Sequence, residues 1–157
     1  MTLYHGSYTA VEKPDLSFSR RRTDFGKGFY LTPIKTQAKK WAKRFFDKRG
    51  IAVVSKYEYN PGSSLKIREF ARHNEDWLNF ITDCRLGKPV DTGLDLIIGG
   101  VANDMVFDTI QLYFDKLLGV EEAIRRLQFN KPNIQYCFKK QFVMDQCLRF
   151  TGSEEMK

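Results

Sequence analysis

Three short stretches of this 157-residue chain carry side chains with chemical reach. Leu3-Tyr4-His5-Gly6-Ser7 sets an imidazole beside a glycine and a hydroxyl. Histidine titrates near neutrality and, in one tautomer, can donate to a sugar hydroxyl. Asp24-Phe25-Gly26-Lys27-Gly28-Phe29-Tyr30-Leu31-Thr32 passes from turn chemistry to an aromatic run. Gly26 and Gly28 permit φ > 0, or let a ligand come close to the backbone. Lys27 is a cation suited to a phosphate, and Tyr30 has a flat face that can stack on a ring. Ile134-Gln135-Tyr136-Cys137-Phe138 opens a late apolar run with an amide. Taken singly, each residue has a plainer reading: a structural histidine, a core tyrosine, a surface lysine.

The order of the glycines excludes the common phosphate loops. A dinucleotide fingerprint needs glycines after a strand and at the mouth of a helix. Here they precede a strand, Phe29 to Leu31, which Thr32-Pro33 ends. Neither GxxxxGK[ST] nor GxSxG occurs. His5 and His73 stand far apart without ligand-spaced partners, so no metal is expected. Cys84, Cys137 and Cys147 lack CxxC spacing and lie in apolar segments, as buried reduced thiols do.

The elements that must hold these residues follow from periodicity. Strands are expected at Leu3–Ser7, Phe29–Leu31, Ile51–Tyr59, Leu65–Phe70, Leu94–Ala102 and Ile134–Phe138. Thr36 is read as the cap of a helix burying Ala38, Trp41, Ala42 and Phe45 and ending at Gly50. Asn74 caps a second helix, with Trp77, Phe80, Ile81 and Cys84 inside. Further helices begin at Asn103-Asp104, with Val106, Ile110, Tyr113, Phe114 and Leu117 on the apolar face, and span Val120–Phe129 and Phe142–Phe150. Thr151–Lys157 is read as a frayed tail. Arg20-Arg21-Arg22 and the stretch around Pro89 read as loops, and Pro132 as a helix breaker. This order is α+β without regular βαβ alternation, in one domain over residues 1–157.

Charge is uneven. Residues 1–72 hold 16 Lys/Arg against 6 Asp/Glu, whereas residues 73–157 hold 10 against 13. A basic N-terminal half fits either a polyanionic partner or an ordinary solvated face. No apolar run approaches the roughly 20 residues of a membrane span, and no signal peptide is evident, so a cytoplasmic location is expected.

In combination these stretches resemble an uncharacterised-domain family of bacteria grouped with the ADP-ribosyltransferase superfamily. Tyr4-His5-Gly6-Ser7, Asp24 to Thr32, Gln37-Ala38 and Trp41-Ala42 carry the resemblance. It continues through Glu75-Asp76-Trp77-Leu78, Asp95 to Asp104 and Asn133 to Phe138. The resemblance implies a split antiparallel sheet that clasps NAD⁺. It implies a His–Tyr–Glu site: His5 on the nicotinamide-side ribose, Tyr30 stacked on the nicotinamide, and the Gly6 backbone on the carboxamide. Ser7, Gly26, Lys27, Gly28 and Phe29 would line the cofactor. The third position, normally glutamate, falls on Gln135, which can hydrogen-bond a hydroxyl but carries no charge. Three readings stay open. Gln135 positions a single ADP-ribose for transfer, or a carboxylate elsewhere serves, Asp104 first, or NAD⁺ is bound without turnover. A mono-ADP-ribosyltransferase acting on a protein or nucleic-acid acceptor is implied, as a toxin or effector delivered to a target cell and paired with a small neutralising protein. The alternative is a catalytically degenerate module that binds NAD⁺ or nucleic acid.

Overall fold

The computed structural model describes every residue except 21–22, 63, 72, 89–92, 103, 128–132 and 157, together with the side chains of 104, 105 and 107. Arg21, Arg22, Pro89, Asn103, Phe129, Pro132 and the side chain of Asp104 therefore lie outside the described residues. The elements are β1 (Thr2–Ser7), a 3₁₀ turn (Leu16–Phe18), β2 (Phe29–Leu31), α1 (Lys35–Arg49), β3 (Ala52–Tyr59) and β4 (Ile67–Glu69). They continue with α2 (Glu75–Arg85), β5 (Leu96–Gly99), α3 (Asp104–Phe114), α4 (Val120–Leu127), β6 (Gln135–Phe138), α5 (Gln141–Cys147) and β7 (Leu148–Met156). The fold is α+β, with two sheets ordered β1-β3-β7 and β2-β6-β5-β4, antiparallel except for the β4–β5 pair.

Side-chain alternation stacks four layers. Leu3, Tyr57 and Tyr59 of the first sheet meet Phe29, Leu31, Leu96, Ile98 and Phe138 of the second, with α5 closing that core. The far face of the second sheet carries Phe25, Ile97 and Cys137 under α2, α3 and α4. The far face of the first sheet carries Ala52 and Val54 under Ala38 and Ala42 of α1. These contacts are small because α1 lies very close to β1. A Cβ built on Gly6 would strike the backbone of Ala38 and Ala42, so glycine is needed there for packing.

Several helix signals act as read. Asn74 Oδ1 accepts the Trp77 N–H at 2.9 Å, and Gly50 ends α1 in the left-handed region at φ 74°. Four expectations are corrected. The first helix has no Thr36 cap; it starts after Ile34, whose N–H is taken by Thr32 Oγ1 at 3.1 Å. Trp41 is 42% exposed, because the face toward the sheet is filled by alanines. The last helix stops at Cys147, and the residues read as its end and as a frayed tail form β7, paired along the whole of β3. An extra residue at Thr151, beside Gly152, shifts the register of that pair. The third helix also ends at Phe114, leaving Leu117 outside it and 74% exposed. No helix among the described residues is long and apolar enough to cross a membrane.

Candidate functional site

Among the described residues, the β1 backbone pairs with the chain at the end of β2 through a single residue pair. Tyr4 and Thr32 exchange backbone hydrogen bonds of 2.8 and 2.9 Å, and there the two sheets join. One pair further along, Gly6 would face Tyr30, but the strands part. His5 enters the gap, with Nδ1 at 2.8 Å from the Tyr30 carbonyl oxygen and its ring 4.5 Å from that of Phe29. Backbone groups alternate along a strand, so Gly6 N–H and C=O point the same way as those of Tyr4, away from β3. Among the described residues they have no partner on that side. The seam therefore offers an unpaired donor and acceptor side by side.

A carbonyl can only accept, so the hydrogen sits on His5 Nδ1, and the neutral ring offers Nε2 as an acceptor. That corrects the donor role expected for this imidazole. Burial lowers the His5 pKa, against the opposing pull of the Tyr30 carbonyl, so the neutral form prevails at neutral pH.

Tyr30 and Gln135 lie on the opposite face of β2 from Phe29. Tyr30 is paired with Cys137, and Gln135 is two residues along the same strand face. The Tyr30 hydroxyl donates to the Gly26 carbonyl at 2.6 Å and accepts the Phe25 N–H at 2.9 Å, with Thr23 Oγ1 also 2.9 Å away. These bonds fix a half-buried ring, and burial first of all keeps its phenol protonated far above the usual range. Burial likewise pushes the neighbouring Cys137 thiol up to about 12, which leaves it inert as a nucleophile.

The backbone groups of Gly26 and Gly28 are already taken by neighbouring residues of the chain. Gly26 accepts from Thr23 and Tyr30. Gly28 N–H and C=O both meet Ser19 Oγ, each at 2.8 Å. A Cβ on Gly28 would run into Cys137, so this glycine serves close packing on β6. Lys27 is exposed, and Ser7 is buried opposite Val53.

The far wall holds a residue that sequence reasoning took for a turn. Asp24 is only 8% exposed. Oδ1 accepts from Arg85 Nη2 at 2.5 Å and Nε at 3.2 Å, while Oδ2 accepts from the Ala102 N–H at 2.9 Å and Gln135 Nε2 at 3.0 Å. Gln135 Nε2 also donates to the Gly100 carbonyl at 3.2 Å. Both neighbours are acceptors, which settles the amide orientation: the nitrogen faces Asp24 and Gly100. The start of β6 is held by two further amides. Gln37 pairs with the Ile134 backbone at 2.9 and 3.2 Å, and Asn133 Oδ1 takes the Val101 N–H at 2.8 Å. Asp95 caps Lys66 N–H at 2.9 Å and pairs with Lys140 at 2.8 Å.

His5 and Gly6 thus border the parting of β1 and β2 on one side of β2, while the Tyr30 and Gln135 side chains lie on the other side of that sheet. A separate groove of about 660 Å³, lined by Asn79, Thr82, Leu86, Tyr113 and Leu117 among others, lies against α2 and α3 and includes none of them.

Residues 1–150 match a family described as "Protein of unknown function (DUF3990)". The chain belongs to that family. No curated protein and no solved structure matches it. Of the expectation from the sequence, the match shows membership of an uncharacterised-domain family, DUF3990.

The seam of this DUF3990 chain has a pH signature. The pKa of His73, whose ring is tilted against Trp77 with centroids 4.2 Å apart, is like that of His5 lowered chiefly by burial. A base whose folded pKa is depressed binds its proton more readily when unfolded. Stability from these groups is complete above about 6.5, the unfolded value, and is lost as pH falls toward the folded values. The urea midpoint is expected to drop between pH 7 and 5, before most carboxylates titrate. His5→Gln should shrink that drop, and an unchanged drop would refute the buried neutral His5.

Proposed function

We propose that this protein is an NAD⁺-dependent mono-ADP-ribosyltransferase. The C1′–N1 bond to nicotinamide breaks, its electron pair neutralises the pyridinium nitrogen, and an acceptor nucleophile bonds C1′ and gives up its proton to solvent. The reading is carried by the unpaired Gly6 N–H and C=O beside His5. A carboxamide has the complementary acceptor and donor, and two hydrogen bonds would hold nicotinamide edge-on at the seam. The neutral Nε2 of His5 accepts from a ribose hydroxyl. Tyr30, fixed at its hydroxyl, gives a rigid face for the nicotinamide ring. Gln135 Oε1 accepts from the other ribose hydroxyl, its amide held by Asp24 and Gly100. The catalytic place offered to Asp104 stays open, that side chain lying outside the described residues, and what Asp24 supplies is support for Gln135. Asp24 acts through Gln135, not on the substrate. Work as a toxin or effector, checked by a small partner protein, fits such chemistry.

One observation favours a second reading, binding without turnover. Both Asp24 oxygens are consumed by Arg85, Ala102 and Gln135, so no carboxylate of this network faces the seam. Removing a charge that stabilises a transition state costs about 10²–10³ in rate.

Incubation with labelled NAD⁺ and cell extract separates the readings. Free nicotinamide and a labelled macromolecule are expected from the parent. His5→Ala and Tyr30→Ala should each cut labelling by at least about tenfold. NAD⁺ binding with neither product would establish the degenerate module, and labelling untouched by both substitutions would dissolve the site.

A further inference from the structure

We infer that the outer side of α1 is a binding surface for single-stranded nucleic acid. As the acceptor site it rests on the transferase reading; the binding itself does not. Gln37, Trp41, Arg44, Phe45 and Lys48 recur at helical spacing and share one side of α1. That side begins at the seam, because Gln37 is bonded to the Ile134 backbone beside Gln135. Trp41 is 42% exposed, with the Arg44 guanidinium 4.5 Å from its ring centroid. Tyr8, three residues after His5, is 41% exposed. It carries Arg49 at 4.2 Å and meets Phe45 at 5.8 Å.

Charge complements the aromatic faces. Among the described residues Lys40, Lys43 and Lys48 have no carboxylate within ion-pairing distance. The nearby Glu154 is taken by Lys35 and Lys39, at 2.8 and 3.2 Å, on the edge toward β7. Lysines alone would suit any polyanion. Exposed aromatic rings with guanidinium groups laid over them suit something flatter: bases stack on such faces while phosphates meet the cations. A duplex hides its base faces, so the fit is to a single strand. An acidic peptide would use the lysines and leave the rings idle.

The test uses the whole chain, with fluorescein-labelled oligo-dT and oligo-rU followed by anisotropy, and with duplex DNA and anionic phosphatidylserine vesicles as competitors. Single-strand binding that weakens steeply with salt is expected. Preference between the two oligomers tells DNA from RNA. Trp41→Ala should weaken binding by about tenfold or more, and Trp41→Phe should restore part of it. Lys48→Ala should flatten the salt dependence by about one counterion. Lys116→Ala removes the same charge on the far side of the molecule and should change affinity less than about twofold. Thermal midpoints of the variants show that each is folded.

Failure to bind a single strand, equal affinity for duplex or vesicles, or equal losses from Trp41→Ala and Lys116→Ala would each overturn the assignment. In the labelled-NAD⁺ experiment, a product destroyed by protease and not by nuclease would overturn the acceptor role alone and leave NAD⁺ cleavage standing.

Discussion

Asp24→Ala is expected to cost about 3 kcal/mol of folding stability, read as a lowered urea midpoint with an unchanged slope. The carboxylate joins three parts of the chain: Arg85 at the end of α2, Ala102 after β5 and Gln135 at the start of β6. Its removal takes both carboxylate bonds from a guanidinium whose side chain is only 27% exposed, and frees two further donors. Partial solvent access to Arg85 sets the estimate at the low end of the range for broken buried pairs. Asp24→Asn keeps the shape but presents a donor where an acceptor is needed, so it should recover less than half of the loss. In the transferase reading Asp24→Asn also releases the Gln135 amide, lowering turnover more than NAD⁺ affinity. Stability within about 0.5 kcal/mol of the parent for Asp24→Ala would mean that the network is not a hub.

Gln135→Glu is the second large effect, and its direction is the informative part. If Gln135 were a weakened glutamate, restoring the carboxylate would raise activity. Here the amide nitrogen sits 3.0 Å from Asp24 and 3.2 Å from the Gly100 carbonyl, two acceptors. A carboxylate in its place meets like charge, which raises its folded pKa above the unfolded value of about 4.3. The variant is then penalised as pH rises through that window, and the penalty vanishes below the unfolded value. A loss of about 2–3 kcal/mol at pH 8, largely recovered at pH 5, is expected, with no gain in labelling at neutral pH. A variant as stable as the parent and more active would show that Asp24 turns away and that the site is of the ordinary glutamate kind.

Local signals located much of this fold. Thr32-Pro33 marked the end of β2, and Asn74 with Trp77, Phe80, Ile81 and Cys84 marked α2, because caps, prolines and helical spacing act over a few residues. What escaped depends on distant partners. β7 was hidden behind an apolar spacing that continues from Phe142 to Phe150, and its partner β3 lies about a hundred residues earlier. Trp41 fell on the expected apolar stripe of α1, but Gly6 draws the helix so close that only alanines fit against the sheet. The candidate site was legible as residue types and not as geometry. His5, Tyr30 and Gln135 were found, whereas the hydrogen bond that fixes the His5 tautomer needed the parting of β1 and β2. Asp24 looked like turn chemistry since it opens a glycine loop. Its partners stand 61, 78 and 111 residues away, beyond any sequence window.

The pairing of β3 with β7 also sets a timetable. β3 is the middle strand of its sheet, yet it is made early and its second neighbour is the last element of this fold. While the chain emerges, β1, α1 and β3 can assemble from neighbouring sequence, but one edge of β3 stays open until Leu148–Met156 has left the ribosome. An open edge is a template for foreign strands. α1 covers a face of this sheet and cannot cover that edge. Chains arrested before Leu148 should therefore aggregate through β3, and completion of the fold should be slow, governed by closure of the long loop between Tyr59 and Leu148 and not by the formation of any helix.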